Sequence, residues 1–213
     1  MTKLSVAVVP VTPFQQNCAL IFDSETKQGI VVDPGGDVER ILDAIGQLEL
    51  KIEKIVLTHG HLDHAGGAED LKAKLGVSII GPHKDDESLL QGIAKQGEMF
   101  GIEGAFKNAN PDEWLEEGDK VSFGDHVFEV YHCPGHAPGH IILFNKEAKF
   151  AHLGDVLFAN SIGRTDLPGG DHEQLISSIK NKVLPLGDDV SFLCGHGDSS
   201  TIGHERINNP FLK

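Results

Sequence analysis

Short apolar runs rich in Val and Ile, closed off by Pro, Asn, Asp or Gly, recur along the chain and read as strands. They cover residues 5–9, 19–22, 30–32, 54–58 and 78–80 in the first half, and 120–123, 127–132, 140–144, 150–153 and 190–194 in the second. Between them the apolar spacing changes to that of a helix. Val38, Ile41, Leu42 and Ile45 share one face behind Asp37, a capping residue type, which predicts a helix to about Gln47. Residues 68–75 and 84–100 follow the same period more loosely, and Asp171 with Gln174 approximates a capping box for a helix to about Val183. Strands come early and late with helices interspersed, and no repeat or flexible linker interrupts them. This pattern predicts one layered α/β domain over residues 1–213, its sheet surfaces covered by helices.

At 213 residues and 23.0 kDa the chain is long enough to bury about 70% of its unfolded surface, so a full core is within reach. Its formal charge of −14 repels polyanions at long range, which argues against nucleic acid as a partner. The apolar stretch from Leu4 to Val11 is interrupted by Pro10 and falls far short of the roughly 20 residues that span a bilayer. No membrane association is expected. The N-terminus also lacks the apolar core and small-residue cleavage site of a signal peptide, and the expected compartment is the cytoplasm. Cys18, Cys133 and Cys194 are too few and too scattered for a disulfide framework or a zinc ribbon, and read as packed core thiols. The anomaly is histidine: twelve, against one Tyr and one Trp.

The run Thr58-His59-Gly60-His61-Leu62-Asp63-His64 begins where the strand at 54–58 ends and offers four metal ligands. In extended backbone His59 and His61 point to one side, while Asp63 and His64 fall where the chain turns into the next helix. One loop could thus serve two metals. Imidazole and carboxylate suit Zn²⁺ and also Fe or Mn, and ligation without thiolate leaves room for water, the mark of a catalytic rather than a structural site. After later strands come Cys133-Pro134-Gly135-His136-Ala137-Pro138-Gly139-His140, with two Pro-Gly turns, then Leu153-Gly154-Asp155 and Cys194-Gly195-His196-Gly197. Several strand ends carrying His or Asp beside Gly suggest convergence on one rim of a sheet pair.

At these residues the chain closely resembles the metallo-β-lactamase superfamily: H-x-H-x-D-H at His59 to His64, then His136, Asp155 and His196 in the family's order, a likeness that runs to Phe211. The resemblance implies a four-layer αβ/βα sandwich of two mixed sheets with outer helices and the active site at one edge. It implies two divalent metal ions: His59, His61 and His136 on the first, Asp63, His64 and His196 on the second, Asp155 bridging. Asp33, in Val32-Asp33-Pro34-Gly35-Gly36, matches the family's early Asp, which supports the metal site from behind its ligands; as a residue type it serves equally as a turn Asp before proline. His140 reads either as such a support or as a strand-start histidine bonded to backbone. Arg164 reads as a structural ion pair with Asp166 or as an anchor for a substrate carboxylate.

Within the superfamily the chain looks most like the short bacterial branch of glyoxalase II, the hydroxyacylglutathione hydrolases, through Cys133 to His136, Ser161 to Asp166 and Thr201 to Glu205. Two features depart from the long members. Their helical glutathione-binding domain is not expected, since the chain stops about seventeen residues after His196, and their C-G-R-x-x-E-G motif is replaced by Ser161-Ile162-Gly163-Arg164. The implied reaction is attack of a metal-bound hydroxide on a small-molecule thioester, oriented by Asp63 as catalytic residue. Rivals are another hydrolase on the same site (a lactonase, β-lactamase or phosphodiesterase) and a single-iron persulfide dioxygenase. Residues 84–114, with Phe100, Phe106 and Trp114, and residues 160–171 are the expected walls of the substrate pocket.

Overall fold

The computed structural model describes residues 3–101 and 106–213. The first sheet holds β1 (Leu4–Val11), β2 (Gln16–Asp23), β3 (Gln28–Val32), β4 (Lys51–Val56) and β5 (Ser78–Ile80) in that order, with β1 to β3 antiparallel and β3 to β5 parallel. The parallel half needs crossovers, which α1 (Val38–Gln47) and the pair α2 (Leu62–Ala65) and α3 (Ala68–Leu75) supply. After β5 come α4 (Glu87–Leu90) and α5 (Ile93–Phe100). The second sheet then forms from β6 (Lys120–Phe123), β7 (His126–His132), β8 (Ile141–Asn145) and β9 (Phe150–His152). A small hairpin, β10 (Leu157–Phe158) and β11 (Ser161–Ile162), and the helix α6 (His172–Ser178) lead to β12 (Ser191–Leu193), which pairs parallel with β9. The strand β13 (Ser200–Thr201) and α7 (Ile202–Asn208) follow.

Alternation along the central strands shows why four layers form. In β2 every residue is buried: Ala19 and Ile21 face the second sheet, while Cys18, Leu20 and Phe22 face the core under α1 and α3. In β8 Ile141 and Leu143 enter the inter-sheet core and Ile142 and Phe144 the core under α6. A strand apolar on both faces must be covered on both. The order helix, sheet, sheet, helix satisfies both strands, and it is the αβ/βα sandwich of two mixed sheets that the family resemblance implies. Among the described residues no helix is long and apolar enough to cross a membrane.

Two helical expectations change. Asp37 precedes α1 in a left-handed conformation, φ 47°, and its carboxylate accepts the Thr12 N–H at 2.8 Å instead of capping the helix. The helix expected over 84–100 is broken: a short 3₁₀ turn at Lys84–Asp86, α4, then a restart after Gly92, where the Ala94 N–H donates to Asn108. Glycine's low helix propensity and the side-chain oxygen of Asn108 favour the break. Asp171 does cap α6, its carboxylate accepting the Gln174 N–H at 2.9 Å, but the helix widens into a π turn at Ile179–Val183.

Strand direction gathers the polar loops. In the second sheet β7, β9 and β12 run the same way, and in the first β3 and β4 do. The loops carrying Asp33, His59, His136, Asp155 and His196 all follow the C-terminal ends of these strands.

Candidate metal centre

His59, His61 and His136 come together as three nitrogens. His59 Nε2 lies 3.1 Å from His61 Nδ1, which lies 3.0 Å from His136 Nε2. Two nitrogens bound at tetrahedral angles to one zinc sit about 3.3 Å apart, so the triplet has the spacing of a shared cation. A second set follows on α2, where Asp63 and His64 stand in the first turn after His61. His196 Nε2 is 3.1 Å from Asp63 Oδ2, and His64 Nε2 is 3.6 Å from the same oxygen. Asp155 stands between the sets. Its Oδ2 is 3.5 Å from His136 Nε2 and 3.6 Å from His196 Nε2, and its Oδ1 is 3.4 Å from His64 Nε2.

Four of the five imidazoles, His59, His64, His136 and His196, have a bonding partner behind the ring. Asp33 Oδ2 accepts the Nδ1–H of His64 at 2.9 Å, which turns Nε2 toward Asp155. The same carboxylate accepts the Thr58 N–H at 2.7 Å and its hydroxyl at 2.6 Å, and that hydroxyl oxygen is 3.0 Å from His59 Nδ1. His136 donates Nδ1–H to the Arg164 carbonyl at 2.8 Å, and His196 donates to the Phe14 carbonyl at 3.2 Å. His140 is stacked on His59 with centroids 4.6 Å apart, and its Nε2 accepts the backbone N–H of Asp155 at 3.0 Å. Two glycines are obligatory here. A Cβ on Gly35 would lie 1.5 Å from the Asp63 carbonyl oxygen, and one on Gly195 2.1 Å from Asp155 Oδ1.

The donor set fits a pair of metal ions. Among the described residues His64 Nε2 and Asp155 Oδ1 are buried side-chain atoms without a hydrogen-bond partner, facing each other across the gap between the triplets. Burying polar atoms in this way costs free energy unless something else satisfies them. Burial, with neighbouring imidazoles, also drives His59 and His136 below the usual histidine range and His61 to about 3, so these rings are neutral and able to ligate. For Asp63 and Asp155 burial acts upward, but the surrounding histidines, His64 foremost, together outweigh it and hold both below the ordinary carboxylate range.

A cavity of about 450 Å³ opens over this cluster. Ser161, Ile162, Arg164, Leu167 and Pro168 wall one side, as expected of 160–171, and Leu89, Gln96 and Met99 the other. Phe106 and Trp114 do not line it; they pack beside the core under the first sheet, where Gly97 makes room for the Phe106 ring. The side chain of Phe100 lies outside the described residues. Arg164 is held by Asp166 through two bonds of 2.7 Å, the structural ion pair, while remaining on the cavity wall.

The sequence profile of the Metallo-beta-lactamase superfamily matches residues 11–196. The chain belongs to that superfamily. The hydroxyacylglutathione hydrolase GloC of Haemophilus influenzae is 47% identical to it over 212 residues, 98% of each chain. Among solved structures the B3 metallo-beta-lactamase BLEG-1 superposes with a TM-score of 0.90 at 34% identity, covering 98% of this chain and 99% of that one. TTHA1623, determined in a di-iron-bound form, gives 0.88 at 35% identity and covers 97% and 100%.

Several supports of this superfamily centre escaped the sequence reading. Gln16 and Asn17 are buried at the start of β2: Gln16 Nε2 approaches His64 Nδ1 at 3.5 Å, and Asn17 holds the Cys194 and Gly197 carbonyls around His196 at 3.0 and 2.9 Å. Two polar residues opening an otherwise apolar strand were the available signal. His152, read as ordinary, lies wholly buried with burial pulling it to about 4, and its Nδ1 faces the Gly154 N–H at 3.4 Å. Cys18, Cys133 and Cys194 are buried thiols, pushed up by burial, Cys194 to about 12, as packed core cysteines should be. Thr201 to Glu205 proves structural: Glu205 accepts the Asn160 N–H and bonds Ser200 and Asn209.

Proposed function

We propose that the chain is a dinuclear metal-dependent thioesterase of the glyoxalase II type, cleaving S-2-hydroxyacylglutathione, S-lactoylglutathione in particular, to the hydroxy acid and glutathione. The observation that carries this reading is Asp155, one buried carboxylate facing His136 on one side and His64 and His196 on the other. A single-iron dioxygenase centre would leave Asp63, His64 and His196 without a task. The 47% identity to a hydroxyacylglutathione hydrolase supports the thioester as substrate class.

In this reading His59, His61 and His136 hold one cation, Asp63, His64 and His196 the other, and Asp155 both; the donors suit zinc, and also iron or manganese. When bound, such a pair supplies Lewis acidity toward a carbonyl and lowers the pKa of coordinated water. Asp63, ionised and at the cavity floor, orients the attacking water and accepts its proton. The oxygen of that water bonds to the thioester carbonyl carbon, the C–S bond then breaks, and the thiolate leaves with the electron pair, needing little acid help. Asp33, Thr58 and His140 keep the imidazoles and Asp155 in place throughout.

Metal analysis of the purified protein, with hydrolysis of S-lactoylglutathione assayed beside glutathione persulfide, lactones and β-lactams, tests the proposal. About two metals per chain and thioester cleavage are expected. One tightly held iron with persulfide-dependent oxygen uptake, or opening of lactones or β-lactams without any thioester cleavage, overturns it.

A further inference from the structure

The first donor set is built from two loops that do not bond to each other through their ligands alone. Gly60 sits between His59 and His61, and Gly139 sits between His136 and His140. One carboxylate spans them: Asp86 Oδ2 accepts the Gly60 N–H at 2.8 Å and Asp86 Oδ1 accepts the Gly139 N–H at 2.5 Å. Asp86 has no exposed surface, although it stands in the acidic run Asp85-Asp86-Glu87. The chain is shaped for the contact. A Cβ on Gly139 would come 2.6 Å from Asp86 N and 2.8 Å from Asp86 Cβ, and one on Gly60 2.7 Å from Leu89 Cβ. Gln96, on the cavity wall, takes the same loop from the other side: its Nε2 donates to the Gly60 carbonyl at 3.3 Å and its Oε1 accepts the Leu62 N–H at 2.9 Å.

We infer that Asp86 is a positioning residue for the first metal, fixing the separation of the His59/His61 loop from the His136 loop, and that Gln96 shares this task. The inference rests on reading the two donor sets as a metal centre, but not on the identity of the substrate. The carboxylate is suited to the role because both groups it meets are N–H donors, and charge-assisted bonds to backbone are shorter and stronger than neutral ones. An Asn in its place keeps the volume but offers one oxygen and one NH₂, so one of the two backbone donors faces another donor and a loop must shift. Ligand positions matter on the scale of tenths of an ångström, and losing a residue that orients ligands typically costs 10–100-fold in metal affinity.

The test is titration of the metal-stripped protein with zinc against a competing chelator, and with cobalt(II) followed by its visible absorption, for the wild type, Asp86→Asn and Gln96→Leu. Circular dichroism of each metal-free protein accompanies it. Asp86→Asn is expected to lose 10–100-fold in affinity for one of two equivalents, with an altered cobalt spectrum for that equivalent and the other retained within about threefold. Gln96→Leu, at a half-buried position, carries the same test if Asp86→Asn does not fold, and is expected to lose several-fold at the same equivalent. In the loaded protein Asp86→Asn lowers kcat with KM nearly unchanged. A folded Asp86→Asn with both affinities and the cobalt spectrum of the wild type overturns the inference, as does an equal loss at both equivalents. With Asp86→Asn unfolded, wild-type behaviour of Gln96→Leu overturns it as well. A wild type that takes up no metal overturns the centre itself, and this role with it.

Discussion

Asp33 and His64, 31 residues apart in sequence, meet at 2.9 Å where neither side chain reaches solvent. The bond fixes the orientation of the ring, with Nδ1–H on Asp33 and Nε2 turned toward Asp155. An amide in place of the Asp33 carboxylate has one oxygen for the Thr58 N–H and the His64 Nδ1–H, so one of these donors loses its acceptor or meets another donor and the ring is no longer held. Asp33→Asn should therefore weaken the second metal by about 10–100-fold while the first stays bound, read by chelator competition.

Ligand replacement should separate the two sets. His59→Ala or His136→Ala empties mainly the first position, so metal analysis finds about one ion where the wild type has about two. Asp155→Ala weakens both, because its oxygens face both triplets. Equal retention in all three variants would contradict the bridging role.

Asp63 lines the cavity and its carboxylate lies against His196. Asp63→Ala should lower thioester hydrolysis by about 10²–10⁴-fold, the range for loss of a general base, with metal kept at the first position. Steady-state rates measured beside metal content decide it.

How much of this was readable beforehand follows from where the partners lie. His59, His61, Asp63 and His64 occupy one run at a strand end, and His136, Asp155 and His196 each follow an apolar strand beside glycine, so local pattern sufficed for all seven. The limits of β5 and β6 match because each strand closes at a glycine, Gly81 and Gly124, and β6 also opens just after Gly118-Asp119. Asp86, Gln96 and Asn17 were opaque for the opposite reason. Their partners lie 26, 34 and 177 residues away, and an aspartate in an acidic run looks solvated until the fold buries it. Asp37 looked like a cap because its type is right; tertiary contact with Thr12 claimed the carboxylate instead.

Away from the centre, Asp23 sets a pH dependence. Its carboxylate accepts the Thr26 and Glu25 N–H groups at 2.7 and 2.9 Å and faces His126 at 3.0 Å, which together hold it near about 2. A depressed acid favours the folded state above its unfolded pKa, and that contribution disappears as pH falls through the folded value. Wild type should thus be more stable than Asp23→Asn at neutral pH, with the gap closing between about pH 4 and 2. Urea midpoints for the pair across that range check the sign.

The cavity wall offers a charged peptide little. Among the described residues Arg164 is its one lysine or arginine, and both bonds of its guanidinium go to Asp166. Replacing S-lactoylglutathione by a lactoyl thioester without the peptide should lower kcat/KM by less than about tenfold, mostly through KM. A drop of several orders of magnitude would reveal a dedicated peptide site.

The grip of Asn17 on the Cys194 and Gly197 carbonyls also governs when the centre can exist. These bonds close loops of 177 and 180 residues, among the longest the chain contains. Contacts so distant form only after the entropy of closing the loop has been met, and so tend to come late in folding. A chain emerging from the ribosome presents His59 to His64 long before His196. Until the two sheets dock, the second donor set is short of a member. Full metal loading is therefore a marker of the last stage of assembly, and a chain stalled with its sheets apart would hold an incomplete, solvent-open cluster of histidines.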